Sequence, residues 1–235
     1  MAQAQPLIEV LRRGCNAFIQ YCNERSWCQK LLEIIITVTP EDETHGVNHV
    51  LRVTCLATYL ATIEHADLDV VIASSLLHDI GRPLEDQINV HHAIASGYVA
   101  RLLLDLVDFP KDKIEHVINA IITHSFSLGR SPSSLEGLIL SDADKIDALG
   151  FIGVVRALAN GFKTGRGLKG TLKHYHEKLS RLYDLIRLTS AKRIARQLQD
   201  DIDKFFREIE QVYTLTEKIL RGVKIDYEKT PIHSP

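Results

Sequence analysis

The 235-residue chain carries a formal net charge of −2, with 28 lysines and arginines against 30 aspartates and glutamates. A hydrophobic content of 45% is ordinary for a globular protein with a packed core. The balanced charge predicts no basic surface for a nucleic-acid polymer or an anionic membrane, and no apolar run is long enough to span a bilayer. We therefore predict one domain, or one domain with an appendage, without nucleic-acid polymers or membranes as partners.

Four cysteines, Cys15, Cys22, Cys28 and Cys55, lack the Cys-x-x-Cys spacing of common metal and redox motifs. This usage is typical of buried, reduced thiols, so we predict no disulfide. The first residues also lack the basic region and long apolar run of a secretory signal. Both observations predict a cytoplasmic protein.

Helical spacing of apolar residues runs through nearly the whole chain. Two short helices are predicted first, over 6–22 and 25–38, and a longer helix follows over 46–65. The β-branched run at 34–38 is the one segment where a strand could form, but the sequence offers it no partner strand. The first part of the chain is therefore predicted to be helical.

The middle of the chain alternates amphipathic helices with polar loops. Asp69 is a predicted N-cap, and polar loops are predicted at 81–88 and 125–134. Helices are predicted over 69–80, 89–107, 111–124, 135–148 and from there to about residue 160.

The last part of the chain begins with residues 161–170, whose four glycines and three cations predict a mobile loop. Two amphipathic helices are predicted near 171–187 and 190–221. The apolar stripe of the second helix fits a homodimer contact or packing on the core equally well. The tail from residue 227, with two prolines, is predicted to be disordered.

The most informative pair of residues is His78 and Asp79, which follows two leucines and precedes Gly81. An imidazole nitrogen and a carboxylate oxygen at adjacent positions can bind one divalent metal ion together. Burying both groups unpaired at the end of an apolar helix would be costly, and a metal ion removes that cost. The alternative interpretation is a capping aspartate beside a core histidine.

Two further segments place this pair in a wider pattern. His49 opens a helix within 44–53, and Asp144 lies in an apolar frame within 140–149. A histidine, a His-Asp pair and an aspartate on successive helices resemble the HD-domain superfamily of metal-dependent phosphohydrolases, in particular its small bacterial and archaeal hydrolases. The run Asp-Ala-Asp-Lys-Ile-Asp-Ala-Leu-Gly at 142–150 is similar to the last motif of those hydrolases. The resemblance covers about residues 40–210.

The resemblance implies an all-α fold, an HD-domain helical bundle with a C-terminal helical extension. Within it, residues 1–40 would form N-terminal helices that pack on the core, and residues 41–160 the metal-binding core. Residues 161–222 would supply C-terminal helices that complete the same domain, and residues 223–235 a tail.

The resemblance also implies that His49, His78, Asp79 and Asp144 bind a divalent metal ion. Two imidazoles and two carboxylates suit Mn²⁺, Fe²⁺, Co²⁺, Ni²⁺, Mg²⁺ or Zn²⁺. Asp142 is the rival of Asp144 for the last position. The family ligand is usually the aspartate directly before a basic and a hydrophobic residue, which favours Asp144 and leaves Asp142 as a helix cap or a neighbour of the ligands.

Two more histidines could enlarge the site, because His92 and His124 resemble ligands of two-metal HD proteins. Ser125 stands where those proteins often have another histidine, so one ion and two ions both remain open. Without a second ion, both histidines would still orient water or donate protons to phosphate oxygens. We therefore predict catalytic roles for Asp79, His92 and His124.

Two polar residues near the motifs, His45 and Glu85, each have two alternative roles. His45 could contact substrate or be an exposed loop histidine, and Glu85 could act as a general base or be a plain loop carboxylate. The other histidines lack a motif and are predicted to lie at the surface; they are His65, His91, His116, His174, His176 and His233.

Cations near the ligands would neutralise a phosphate group. Arg82 follows the His-Asp pair, Lys145 follows Asp144, and Arg52 lies one turn after His49. We predict that Arg82, Lys145 and Arg52 bind substrate. Arg156 is a weaker candidate, and a surface ion pair is the alternative for each cation.

The combined motifs predict a metal-dependent phosphohydrolase that cleaves a phosphate ester or anhydride, most simply in a nucleotide. Metal-activated water would attack the phosphorus atom. Triphosphate pyrophosphohydrolysis and 5′-monophosphate dephosphorylation both suit such a site. Two alternatives from other classes remain: a regulatory module that binds a nucleotide or a metal without turnover, and a di-iron HD oxygenase.

Overall fold

Helices form nearly all of the regular structure in residues 6–125 and 128–222, the two ranges that the computed structural model of this chain describes. These ranges contain no β-strand, so the predicted all-α fold class is confirmed. In chain order the helices are α1 (Leu7–Asn23), α2 (Ser26–Val38), α3 (Val47–Glu64), α4 (Leu68–Leu77), α5 (Glu85–Ile88), α6 (His92–Leu106), α7 (Ile114–His124), α8 (Leu135–Asp147), α9 (Gly150–Lys163), α10 (Gly167–Glu177), α11 (Leu182–Leu185) and α12 (Thr189–Gly222).

Several local predictions change in the structure. The β-branched run at 34–38 lies in α2, where tertiary packing outweighs its strand propensity. Asp67 rather than Asp69 caps α4, since its side chain accepts the backbone N–H groups of Asp69 and Val70. The predicted loop at 81–88 contains a 3₁₀ turn and the short helix α5.

The predicted mobile loop at 161–170 is mostly helical, because only residues 164–166 separate α9 from α10. Gly165 and Gly167 turn the chain there with φ values of 70° and 59°, which favour glycine. Gly161 lets the two helices approach, since a Cβ atom there would lie 2.0 Å from the Thr171 hydroxyl oxygen. The glycines therefore serve a tight helical hairpin. The predicted tail from residue 227 lies outside the described residues.

Packing of α1 against α3 overturns the prediction for the cysteines. A Cβ atom on Gly14 would lie 2.0 Å from the carbonyl oxygen of Cys55, so the two helices touch. Cys15 and Cys55 form a disulfide across this contact, and Cys22 and Cys28 form another across the turn between α1 and α2. Sequence spacing could not reveal this approach of two helices. The argument from reduced thiols to a cytoplasmic location no longer holds, and that location stays a prediction.

Two adjoining clusters of buried apolar side chains form the core. One joins α3, α8, α9 and α12, and the other joins α2, α4, α6 and α7. The helices α3, α4, α7 and α8 pack against one another at the centre, so polar residues at their ends converge. The buried side chains Ile194, Ile202 and Phe206 show that the first half of α12 packs on the core.

The second half of α12 exposes Val212, Leu215 and Ile219, and the homodimer stays a prediction. The division into segments 1–40, 41–160, 161–222 and 223–235 also stays a prediction. Within residues 6–125 and 128–222, no helix combines the length and hydropathy that crossing a membrane requires.

Candidate metal centre

Five side chains from the central helices meet in one place, and we call them the metal cluster: His49, His78, Asp79, His124 and Asp144. His49 lies in the first turn of α3, His78 and Asp79 follow the end of α4, and His124 ends α7. The Nε2 atom of His49 is 3.2 Å from Nε2 of His78 and 3.6 Å from Oδ1 of Asp144. Oδ2 of Asp79 lies 3.7 Å from each of these two Nε2 atoms.

The three imidazoles of the cluster are oriented by hydrogen bonds from their Nδ1 atoms. His78 contacts the carbonyl oxygen of Ser75 at 2.8 Å, and His124 contacts that of Ile121 at 2.5 Å. Because a carbonyl oxygen only accepts, Nδ1 of both rings carries the proton, and Nε2 offers a lone pair to the cluster. His49 has the same orientation, with Nδ1 2.8 Å from Oδ2 of Asp147.

This arrangement fits a cation. Two imidazole lone pairs 3.2 Å apart repel each other unless a positive group binds between them. Oδ1 of Asp79 is buried without a hydrogen-bond partner among the described residues, which is costly for a carboxylate oxygen. A divalent ion held by imidazole nitrogens and carboxylate oxygens would remove both costs.

The protonation states of the cluster also suit a metal ion. Burial lowers the pKa of His78 to about 3, so its ring is neutral at neutral pH. Burial opposes ionisation of Asp79, but Arg82 and His78 hold the pKa of that carboxyl well below its ordinary value. For Asp144, burial is likewise outweighed, and the nearby histidines of the cluster lower its pKa. Neutral imidazoles and ionised carboxylates are the forms that bind metals.

His49 differs from the other histidines in its electrostatics. Burial and Arg156 oppose a charge on the ring, yet hydrogen bonds to Asp147 and Asp79 raise the pKa of His49. The ring therefore lies where positive charge is favoured. A metal ion can supply that charge in place of a proton.

His92, the first residue of α6, borders the cluster. Its Nε2 atom lies 3.8 Å from Oδ1 of Asp79 and 3.4 Å from the Arg82 guanidinium. Glu85 holds the ring, since its Oε1 atom is 3.3 Å from Nδ1 and accepts the backbone N–H of His92. Burial lowers the pKa of His92 to about 4. The structure thus brings both His92 and His124 to the predicted ligands, which is the arrangement that a second ion would need.

The three aspartates of α8 face three different partners. Asp144 faces the cluster, whereas Asp142 is fully buried and accepts the backbone N–H groups of Arg187 and Leu188, at 3.0 and 2.8 Å. Asp142 therefore fixes the connection between α11 and α12. Asp147, which the sequence analysis did not assign, faces His49.

The three cations that the sequence analysis assigned to substrate lie near the cluster, but they do not face the same way. Arg82 donates to Oδ2 of Asp79 at 2.7 Å, and the Lys145 ammonium donates to the hydroxyl and carbonyl oxygens of Ser141. Arg52 forms two hydrogen bonds with Asp147 instead of facing open space. Sequence position alone could not reveal this diversion of Arg52.

A cavity of about 310 Å³ opens above the cluster. Arg82, His92, His124, Asp144, Lys145 and Arg156 line it, together with His45, whose Nδ1 atom is 3.0 Å from Asp79. Arg52 does not line this cavity.

The opposite side of the cavity comes from α10 and its continuation, and we call it the C-terminal wall: His174, Lys178, Leu179 and Leu182. Asn160 of α9 lies beside this wall. The prediction of His174 as a surface residue is wrong in this respect. The one sequence signal was the spacing of His174 and Lys178, four residues apart on one helix face.

Comparisons with known proteins show the family of the chain. Residues 46–149 match the HD domain family. The Bacillus subtilis protein YpgQ is 32% identical in an alignment of 198 positions that covers 80% of this chain and 90% of YpgQ.

Solved structures give the same result at the level of the fold. Bacillus subtilis YpgQ in complex with ADP superposes with a TM-score of 0.65 and 26% identity, over 83% of this chain and 96% of YpgQ. A Lactobacillus plantarum protein superposes with a TM-score of 0.68 and 26% identity, over 80% of this chain and 96% of that protein. A predicted HD superfamily hydrolase from an uncultured Thermotogales bacterium superposes with a TM-score of 0.59 and 26% identity, over 79% of this chain and 92% of that protein.

Proposed function

The chain belongs to the HD domain family of metal-dependent phosphohydrolases, and we propose that its substrate is a nucleotide. One observation carries the proposal: a buried cluster of imidazole lone pairs and ionised carboxylates lies at the base of a cavity lined by cations. Both features favour hydrolysis of a phosphate ester or anhydride, because an oxygen nucleophile must attack an anionic phosphorus centre.

We assign His49, His78, Asp79 and Asp144 as the metal ligands. Bound there, a divalent ion would lower the pKa of a water molecule and polarise a phosphoryl oxygen. Mn²⁺, Fe²⁺, Co²⁺, Ni²⁺, Mg²⁺ and Zn²⁺ are all compatible with this mixture of nitrogen and oxygen donors. His92 and His124 either hold a second ion or contact the phosphoryl group directly, where an imidazole can accept a proton from water.

The basic residues of the cavity supply the charge that a phosphate chain needs. Arg82 lies beside Asp79, and Lys145 lies one residue from Asp144. Arg156 and Lys178 approach from the other side of the cavity. We propose that Arg82, Lys145 and Lys178 bind phosphate oxygens. Arg52 instead binds Asp147, the hydrogen-bond partner of His49.

The remaining surface of the cavity suits the organic part of a nucleotide. Ala157, Leu179 and Leu182 give it apolar walls, and Asn160 and His174 add polar groups that can donate or accept hydrogen bonds. The similarity to YpgQ, which was solved with ADP, supports a nucleotide as the ligand class. Triphosphates and monophosphates both remain candidate substrates.

The experiment that tests this proposal combines metal analysis with substrate screening. The protein is purified without chelators, its metals are counted, and phosphate and pyrophosphate release are measured from nucleoside mono-, di- and triphosphates with Mn²⁺, Co²⁺, Ni²⁺ or Mg²⁺. We expect turnover of one nucleotide class. Asp79→Ala should abolish turnover, because it removes a carboxylate that contacts both Nε2 atoms of the cluster.

The other outcomes separate the alternatives. Nucleotide-dependent thermal stabilisation without product would indicate a regulatory binding module. Two irons per chain with oxygen consumption would indicate an oxygenase. Undiminished turnover in a folded Asp79→Ala protein would contradict the assigned site.

A further inference from the structure

We propose that Asp147 is a positioning residue that fixes the metal-binding orientation of His49. This inference rests on the proposed metal site. It concerns a residue that makes no contact with the cavity and that lies beyond the metal cluster itself.

The need for Asp147 follows from the place of His49 in its helix. His78 and His124 lie at helix ends, and each ring uses the carbonyl three residues earlier, in Ser75 and Ile121. Such carbonyl groups are free at the C-terminal end of a helix because no later N–H reaches them.

His49 lies at the opposite end of its helix, where this solution fails. The carbonyl three residues earlier belongs to Gly46, and it already accepts the backbone N–H groups of His49 and Val50, at 3.0 and 3.2 Å. The Nδ1 atom of His49 must therefore find an acceptor outside α3. Asp147 on α8 supplies it at 2.8 Å.

Two arginines hold the Asp147 carboxylate in place. Arg52 donates from Nε to Oδ1 at 2.6 Å and from Nη2 to Oδ2 at 3.0 Å, and Arg156 donates from Nη1 to Oδ2 at 2.8 Å. The Asp147 side chain is only 3% exposed. Because both carboxylate oxygens already accept from arginine N–H groups, they face His49 as acceptors, so Nδ1 of His49 donates and Nε2 keeps its lone pair for the metal.

The arginines also connect this residue to the cavity. Arg156 lines the cavity and donates to the Thr44 carbonyl oxygen at 2.9 Å as well as to Asp147. The carboxylate thus joins α3, α8 and α9 behind one ligand. The hydrogen bonds to Asp147 explain why the Arg52 side chain does not line the cavity, although it was predicted to bind substrate.

The test compares Asp147→Asn with the matched control Asp142→Asn, a second buried aspartate on the same helix that touches none of the proposed ligands. Binding of Mn²⁺ alone is measured by calorimetry on the chelator-treated protein, and the Co²⁺ derivative is examined by its visible absorption spectrum. We expect Asp147→Asn to weaken Mn²⁺ binding roughly 10- to 100-fold, because losing the hydrogen-bond partner of a metal ligand typically has an effect of this size. The absorption bands of the Co²⁺ derivative should also change. Asp142→Asn should leave both readouts as in the wild type.

A wild-type Mn²⁺ affinity and Co²⁺ spectrum in folded Asp147→Asn would overturn the proposal. If that variant does not fold, Arg52→Met provides the second test, because it removes two of the hydrogen bonds that hold the carboxylate. Mn²⁺ binding several-fold weaker supports the proposal, and unchanged binding refutes it. Neither measurement uses a substrate, so an error in the proposed reaction would leave both results interpretable.

Discussion

The metal cluster and the C-terminal wall face each other across one cavity, but they are built in opposite ways. In the cluster, all three imidazoles have their Nδ1 atoms hydrogen-bonded, and the Asp79 side chain is only 2% exposed. In the wall, the Lys178 ammonium forms no hydrogen bond or ion pair with any residue in 6–125 or 128–222, although Lys178 lines the cavity. The rigid side suits chemistry, and the unsatisfied side suits binding of an anionic ligand.

The largest expected effect sharpens this contrast within a single helix. Asp144→Asn should lower turnover by a factor on the order of 100 or more, because it removes a charged ligand of the metal. The unfolding free energy in the presence of a chelator should change less than it does in Asp142→Asn, since no side-chain hydrogen bond of Asp144 is formed within residues 6–125 and 128–222, where its Oδ1 atom approaches Nε2 of His49 only to 3.6 Å. Activity assays and urea denaturation measure the two quantities.

The neighbouring variant Asp142→Asn should give the reverse result. It should destabilise the fold by about 1–3 kcal/mol, because the backbone N–H groups of Arg187 and Leu188 lose a charged acceptor. Turnover per folded molecule should remain. If Asp142→Asn removed the metal and Asp144→Asn did not, the two roles would have to be exchanged.

A smaller effect is expected from the wall. Lys178→Ala should raise the KM for a nucleotide about 10-fold, equivalent to roughly 1.4 kcal/mol, which is typical of one hydrogen bond to a charged group. The Mn²⁺ affinity should not change. Lys173→Ala, on an exposed part of the same helix where the side chain is 75% exposed, is the matched control and should behave as wild type. A lower Mn²⁺ affinity in Lys178→Ala would contradict the assignment of the wall to substrate binding and of the cluster to metal binding.

The smallest expected effect is a pH dependence of stability in the wall. Burial, then Lys178 and Arg166, lower the pKa of His174. At a pH above about 6.5, the pKa of His174 in the unfolded state, the ring is neutral in the folded and unfolded states alike and does not change the free energy of unfolding. As the pH falls below that value toward the folded pKa, only the unfolded state gains the proton, so stability is lost. His174→Gln should therefore lose less stability than wild type between pH 7 and pH 5, measured by urea denaturation with chelator, and equal losses would contradict this.

The sequence predicted the helical fold class and the convergence of the cluster far better than the wall. His78 and Asp79 stood out because ionisable residues at the end of an apolar helix are costly without a partner, and the resemblance to HD-domain hydrolases added His49 and Asp144. The structure brings the four side chains together, and their role as metal ligands stays a proposal. His174 and Lys178 could not, because on a sequence basis they lie on an ordinary polar helix face. Only the fold of α10 over α9 turns that face toward the cavity.

Long-range contacts account for the other errors. Nothing in the spacing of Cys15 and Cys55 predicts that Gly14 lets α1 touch α3. Likewise, Arg52 lies one turn from His49 and was predicted to bind substrate, but Asp147 captures it from a distant part of the chain. Local pattern identified the chemistry of these side chains, whereas packing determined their partners.

The way each imidazole is held also sets an order of events during synthesis of the protein. The rings of His78 and His124 are fixed by carbonyl groups three residues away, so they are oriented as soon as their own helices form. His49 waits for Asp147, 98 residues further along, and for the arginine of α9 that steadies it. The proposed metal site is therefore complete only after α8 and α9 have packed against α3.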